Sequence, residues 1–182
     1  VLYETSSARI VTEPYWEDNE NLPLRHSIEN PAPLLQDLEE AGYGATPRTV
    51  FSGELILRKD PFPEDGSLQA RITAVDPQRD RRVYEIENAL SEGRWLEEDE
   101  PGVVIGEWLA EDIDAEVGYP LTIVTRTKSG YFQTIDVDIV GLVNTPNPIV
   151  NRTGIYMPIE TADYYLQMEG AVTQIDIGFP FH

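Results

Sequence analysis

The chain has 182 residues, 41% of them hydrophobic and 25% charged, which is typical of a folded protein of one domain or two small intergrown domains. Its 13 basic and 33 acidic residues give a formal charge of −20, and this negative field excludes a nucleic-acid-binding role. The absence of cysteine excludes disulfides, thiolate chemistry and cysteine-ligated zinc, and two histidines leave almost nothing for a histidine-dependent site.

The N-terminal part of the chain predicts strands around one clear helix. Asn30 is a typical N-cap and Pro31 a typical first helical residue, because its missing N–H is not needed there. Gly42 then marks the helix end. The predicted elements are, in order, a strand at Ala8–Thr12, a polar irregular segment at Tyr15–Pro23, a helix with an apolar stripe of Leu34, Leu38 and Ala41, strands at Ala45–Phe51 and Gly53–Arg58 separated by a bend at Gly53, and an alternating strand at Gln69–Val75.

The C-terminal part predicts short elements and one hairpin. The segment Ser91–Glu116 carries ten acidic residues against one arginine, which we interpret as a solvated acidic surface. The predicted elements are, in order, a short helix at Tyr84–Ser91, a strand at Val103–Ile105, a helix from Gly106 through Asp112, a hairpin of Leu121–Thr127 and Tyr131–Val143 turning at Gly130, a loop at Asn144–Pro148, a strand at Ile155–Met157, a helix at Ala162–Met168 capped by Thr161, and a last strand at Val172–Ile177.

This order of elements predicts an α+β fold with a mixed, mostly antiparallel sheet and short helices. The chain lacks regular βαβ alternation, a glycine-rich dinucleotide loop and an internal repeat. No apolar stretch approaches the roughly 18–20 residues that span a bilayer. The chain begins at Val1 without a methionine and ends just after a strand-like segment, so we expect it to be part of a longer protein.

Several short motifs recur in a fixed order between Asn30 and Phe179. Each has a mechanical interpretation as a turn, a helix end or a strand-to-helix corner, and only the ordered set is specific. The motifs are Pro47-Arg48 entering a strand, the turn Ala74-Val75-Asp76-Pro77, Leu90 with Gly93-Arg94, the corner Val104 to Ala110, the step Val117-Gly118, Asp138 to Gly141, and the closing stretch Ala162 to Ile175.

In this order the motifs resemble the extracytoplasmic domain of MacB-like or FtsX-like ABC transporter permeases, a group that includes the lipoprotein-releasing permeases. One departure is Tyr119, where these permeases usually have an aspartate in a turn. The resemblance implies two intergrown lobes: a porter-like lobe formed by residues 1–47 and 171–182, truncated at its C-terminal end, and a small α/β lobe, residues 48–170, inserted into it.

The resemblance also implies a location at the periplasmic or extracytoplasmic face of the bacterial inner membrane. The expected partners are the protein's own transmembrane helices, a cytoplasmic ATPase subunit, a second permease subunit, and a lipoprotein or other envelope protein. The role is mechanical: ATP-driven motion is transmitted to an envelope substrate in lipoprotein release or efflux. We therefore expect no catalytic residues and no cofactor.

Candidate partner-contact residues lie in two segments. Tyr15 and Trp16 place aromatic side chains in a polar segment that we expect to be exposed. Pro146, Asn147 and Pro148 form a stiff loop suited to a contact surface.

Carboxylate chemistry offers weaker alternatives. The sequence from Asp112 resembles a calcium loop, but Val117 and Ile123 occupy the sixth and twelfth positions where glycine and glutamate are required, so we predict no metal site. The alternative functions are peptide sensing or cell-wall-hydrolase regulation by a related permease, a carboxylate-based hydrolase, and a secreted adhesin.

Overall fold

The computed structural model describes residue 3 and residues 5–57 and 66–179. In this part of the chain nine strands and five α-helices form, together with short 3₁₀ segments. The strands are β1 (Ala8–Ile10), β2 (Gly44–Leu57), β3 (Ser67–Val75), β4 (Leu90–Gly93), β5 (Gly102–Gly106), β6 (Pro120–Arg126), β7 (Phe132–Val143), β8 (Ile155–Pro158) and β9 (Gln174–Gly178). The helices are α1 (Glu13–Glu17), α2 (Pro31–Glu40), α3 (Glu107–Asp112), α4 (Pro148–Thr153) and α5 (Ile159–Leu166).

Six of the strands close into a barrel. Their hydrogen-bonded order is β2, β3, β8, β5, β7, β6 and back to β2, with parallel pairing only at β3–β8 and β5–β7. Strands β9 and β1 extend the sheet away from the start of β2, and β4 pairs with the end of β7. The predicted α+β class with a mixed, mostly antiparallel sheet is confirmed.

The length of β2 makes this closure possible. On one edge, residues 48–56 pair with β3. On the other edge, Gly44–Arg48 pair with β9, whereas Glu54–Leu57 pair with β6. A single 14-residue strand therefore belongs both to the barrel and to the flanking β1–β9 sheet.

The barrel interior is filled by apolar side chains. The alternation predicted for β3 is confirmed, since Ile72 and Ala74 point into the core and are fully buried. One continuous cluster takes members from all six barrel strands and from α3 and α5; its strand members are Phe51, Leu55, Ile72, Ala74, Val103, Ile105, Leu121, Ile123, Ile135, Val137, Ile139, Leu142, Ile155 and Met157.

Gly53 does not separate two strands, as the sequence suggested. Strand β2 runs through it without interruption. A Cβ atom at this position would lie 2.8 Å from Ile123 Cγ2 and 3.2 Å from Ile72 Cδ1. A side chain at this position would therefore force the fully buried Ile123 and Ile72 side chains to shift.

Three other local predictions were wrong, and helix α4 was not predicted, because 3₁₀ and short helical turns carry weak sequence signals. The segment Tyr15–Pro23, predicted to be irregular, contains the end of α1 and a 3₁₀ turn at Asn19–Asn21, and a second 3₁₀ turn follows at Leu24–His26. The helix predicted at Tyr84–Ser91 is a 3₁₀ turn at Ile86–Ala89 followed by β4. The loop at Asn144–Pro148 leads directly into α4. Helix α5 begins at Ile159, so Thr161 lies inside it and does not cap it.

We expect the barrel core to dominate stability. Replacing Ile72 by alanine should lower the free energy of unfolding by about 2–5 kcal/mol, because it leaves a cavity among well-packed neighbours. The matched control is Ile56→Ala on the adjacent strand, where the side chain is 38% exposed and the loss should stay below about 1 kcal/mol. Urea denaturation measures both, and equal losses would contradict the assignment of the core.

Candidate functional site

A buried ion pair lies where the barrel meets the flanking β1–β9 sheet. The Arg48 guanidinium of β2 donates from Nε to Asp80 Oδ1 and from Nη2 to Asp80 Oδ2, both at 2.8 Å. Arg48 Cζ also lies 3.6 Å from the centroid of the Tyr84 ring. Both charged residues are almost fully buried, so the bidentate geometry compensates for the water that they lose.

A second carboxylate completes the network. Asp176 of β9 is fully buried, and its Oδ2 accepts a 2.6 Å hydrogen bond from the Tyr84 hydroxyl. Gln174 Nε2 lies 3.1 Å from both Asp176 oxygens, and Arg9 Nε of β1 donates to Oδ1 at 3.0 Å. Two arginines thus face two aspartates, and the buried charge is balanced.

Electrostatics keep the Arg48 guanidinium charged and the Tyr84 hydroxyl neutral. Burial by itself would lower the pKa of Arg48, but the Asp80 charge and its hydrogen bonds outweigh burial and raise that pKa above its ordinary value. Burial raises the pKa of the Tyr84 hydroxyl, which therefore remains a proton donor to Asp176. Arg48 stays charged and Tyr84 stays neutral, so the network acts as a fixed structural connection.

The turn after β3 presents Asp80 to Arg48. The Asp76 carboxylate accepts the backbone N–H groups of Gln78 and Arg79 at 3.0 Å each, which holds the turn closed. Arg79 and Arg82 both donate to Glu39 Oε1 of α2, at 2.5 and 2.7 Å. The Asp76-Pro77 turn motif therefore fixes the loop that carries Asp80.

The corner after β5 also depends on a motif residue. Gly106 precedes α3, and a Cβ atom there would lie 2.3 Å from the backbone oxygen of Asn151 in α4. Asn151 is buried and bonds with Thr145 through three contacts: its Oδ1 accepts from Thr145 N at 2.7 Å and from Thr145 Oγ1 at 3.1 Å, and its Nδ2 donates to Thr145 O at 2.8 Å. Glycine allows α3 and α4 to pack closely at this corner.

The predicted contact residues differ in exposure. Trp16 is 68% exposed, as expected, whereas Tyr15 is only 4% exposed, so the prediction that Tyr15 is exposed was wrong. Helix α1 explains this difference, because neighbouring helical residues point in different directions. Pro146 and Pro148 are exposed, and Asn147 caps α4 by accepting the N–H of Ile149 at 2.9 Å.

Sequence reasoning missed an exposed aromatic group at the β6–β7 turn. Tyr131 and Phe132 are 72% and 75% exposed, and Tyr164 on α5 is 76% exposed. The hairpin contacts the end of α5, since Lys128 N donates to Leu166 O at 2.9 Å and Gln133 Nε2 donates to Tyr165 O at 3.0 Å. We call Tyr131 and Phe132 the aromatic patch. The sequence signal that could have predicted this group was a pair of adjacent aromatic residues directly after the turn glycine, Gly130.

Acidic residues crowd a different surface. The pKa of Glu160 is raised, first by partial burial of its carboxyl group and then by the charges of Glu98, Asp99, Asp76 and Asp163. Among the residues that the structure describes, no group of three histidine, aspartate or glutamate side chains is placed to hold a metal ion. In the same residues no helix is long and apolar enough to cross a membrane.

Comparison with known proteins gives matches to solved structures only. No protein-family model and no curated protein sequence matches the chain. The crystal structure of the periplasmic region of MacB from Actinobacillus actinomycetemcomitans matches with a TM-score of 0.59 at 17% identity, over 96% of this chain and 75% of that one. The chain has the fold of the MacB periplasmic region.

A second solved structure has the same fold. The extracellular domain of the noncanonical ABC-type transporter YknZ from Gram-positive bacteria matches with a TM-score of 0.58 at 10% identity, over 95% of this chain and 82% of that one. The likeness to MacB that the ordered motifs indicated is therefore confirmed for the fold. In this MacB-like fold Asp76, Arg48 and Gly106 have structural roles.

The buried network should be essential for folding. We expect Arg48→Ala to lower the free energy of unfolding by about 3–5 kcal/mol, because it leaves the Asp80 carboxylate buried without its partner. The control is Arg81→Ala, which removes an exposed arginine 3.6 Å from Glu87 and should cost less than about 1 kcal/mol. Similar losses for the two variants in urea denaturation would show that the network is not structurally essential.

Proposed function

We propose that this chain is a non-catalytic extracytoplasmic domain of an ABC transporter permease at the bacterial inner membrane. In this role it transmits ATP-driven motion that moves or releases an envelope substrate, in lipoprotein release or in efflux. Its partners are its own transmembrane helices, a cytoplasmic ATPase subunit, a second permease subunit and a lipoprotein or other envelope protein.

The observation that carries the proposal is the fold match over nearly the whole chain. Both matching structures are extracytoplasmic regions, one of MacB and one of an ABC-type transporter. The match covers 96% and 95% of this chain, so it includes both of the proposed lobes. The ordered sequence motifs point to the same family independently of the comparison.

A domain that transmits motion needs a stiff junction between its lobes. The proposed porter-like lobe, residues 1–47 and 171–182, supplies Arg9 and Asp176, and the proposed inserted lobe, residues 48–170, supplies Arg48 and its partners. Strand β2 runs through the proposed boundary without interruption. A continuous strand and a buried, charge-balanced network across this boundary support movement of the two lobes as one body.

Three exposed segments are available for partners. Trp16 and the segment Pro146 to Pro148 are the two candidate contacts proposed from the sequence, and the aromatic patch adds a third. Exposed aromatic side chains are enriched at protein interfaces because they bury a large area with few rotatable bonds. These surfaces are suited to contact an envelope protein or a second permease subunit.

The acidic surface around Glu160 supports a second candidate function, the sensing of cationic peptides by a related permease. A synthetic oligolysine should then bind the domain, and its affinity should fall steeply as salt concentration rises. The variant Glu160→Gln should weaken binding, whereas Glu13→Gln on helix α1 should not, because Glu13 is not among the acidic residues that raise the Glu160 pKa. Calorimetric titration that detects no salt-sensitive binding would exclude this candidate.

The location of the domain can be tested in the full-length protein. Because this sequence has no cysteine, Gln36→Cys on the exposed face of α2 introduces a unique thiol within it. We expect a membrane-impermeant maleimide to label this thiol in intact spheroplasts, and we expect the protein to copurify with an ATPase subunit.

The matched control is Ala74→Cys, whose side chain is fully buried in the barrel and should react only after denaturation. Labelling of Gln36→Cys only after the cells are lysed would place the domain in the cytoplasm and overturn the proposal. If the purified protein carried no ATPase subunit, the result would contradict a role in an ABC transporter.

A further inference from the structure

One edge of β3 is only partly used. Along one side, β3 pairs with β2 over its whole length. Along the other side, only Thr73–Val75 pair, with Tyr156–Pro158 at the edge of β8. Among the described residues no strand pairs with the remaining edge from Ser67 to Ile72.

The cause of this free edge is helix α4. Strand β8 begins at Ile155, and the residues that would extend its ladder along β3 form α4, Pro148–Thr153. A helix satisfies its own backbone groups and cannot continue a ladder. The free edge is therefore a consequence of the fold, and it presents backbone N–H and C=O groups of the kind that pair with an added strand.

A groove runs along this edge. A cavity of about 760 Å³ separates the edge from α3 and α4, a size within the usual range for binding sites. Leu68 is 41% exposed and faces it. We call this cavity the edge groove; its apolar lining is Leu68, Ala70, Leu109, Ile113 and Ile155. Its charged lining consists of Asp112 and Asp114 on the side of α3, Arg152 of α4, and Arg71 of β3.

The edge groove has a basic end. A neighbouring cavity of about 350 Å³ shares Arg71, Thr153 and Ile155 with it, and the charged residues that line this second cavity are Arg9, Arg48 and Arg71. Asp176 and Asp80 neutralise the first two arginines. Among the described residues no carboxylate lies within 4 Å of the Arg71 guanidinium, so a positive charge remains here in a chain of net charge −20.

We propose that the edge groove binds an extended segment of a partner polypeptide, which adds as a strand beside Ser67–Ile72 and places a carboxylate near Arg71. The free edge requires an extended backbone, because only a strand satisfies its alternating donors and acceptors. The apolar lining selects apolar side chains at every second position. The positive charge of Arg71 favours an aspartate, a glutamate or a free C-terminus at one end.

This inference goes beyond the proposed role in a transporter, because it depends only on the edge of β3 and its surroundings. A segment that covers six residues of the edge would be roughly 20 Å long. A second copy of the chain is a poor occupant, because two molecules of charge −20 repel each other.

The probe is a phage-displayed library of random ten-residue peptides, panned against the domain. We expect enriched peptides with apolar residues at alternate positions and an acidic group at one end. The best peptide, synthesised and labelled, should bind in fluorescence anisotropy. Binding should slow hydrogen exchange of the amides in Ser67–Ile72, which mark the added strand.

Two variants and two matched controls locate the site. Leu68→Asp and Arg71→Glu should each weaken peptide binding at least about tenfold, because each variant removes one good contact with the peptide. Ile56→Asp, with similar exposure on β2, and Arg25→Glu, whose side chain is 68% exposed, should leave binding unchanged. Circular dichroism confirms that each variant is folded.

The proposal would be overturned if panning gave no enriched peptide, if Leu68→Asp and Arg71→Glu did not weaken binding, or if the peptides bound as helices. Concentration-dependent dimerisation in analytical ultracentrifugation that Leu68→Asp abolishes would identify a second copy of the chain as the occupant, and would also overturn it. None of these results affects the location test with Gln36→Cys, so either proposal can be contradicted without contradicting the other.

Discussion

The interaction on which the rest of this structure depends is the buried pairing of Arg48 with Asp80 and, through Tyr84, with Asp176. A guanidinium that lost water without a partner would cost several kcal/mol, so the fold must bring a carboxylate to it. It does so with the loop after β3, which the Asp76 turn and the contacts to Glu39 hold in place. Strand β2, strand β9 and this loop are thereby fixed relative to one another.

Strand β2 is the second constraint. Because it is long enough to pair with β9 at its start and with β6 at its end, the barrel closes while the β1–β9 sheet stays attached. Closure removes most of the strand edges that would otherwise expose hydrogen-bonding groups. The part of β3 beside α4 is one place where this protection stops, and the edge groove lies there.

The same features are consistent with the proposed role of a domain that works through rigidity and surface contacts. The buried Arg48 network is balanced in charge and holds the fold together. The surface divides into regions with different chemistry: acidic around Glu160, aromatic at Tyr131 and Phe132, and basic at Arg71. Different partners can be recognised by these regions without competing for one site.

Local sequence determined the elements whose signals are local. Asn30-Pro31 and the following apolar stripe predicted α2, the alternation in β3 predicted its buried face, and the glycine at 130 predicted the hairpin turn. The ordered motifs also predicted the MacB-like fold, because turns and corners need particular residues at particular positions.

Only the tertiary structure decided the features that depend on distant parts of the chain. The pairing of β2 with β6, the contact of Arg48 with residues 32 and 128 positions away, the burial of Tyr15 and the free edge of β3 all arise between segments far apart in sequence. A residue pattern states which side chains are apolar or charged. It does not state which of them meet, since that depends on how the whole barrel closes.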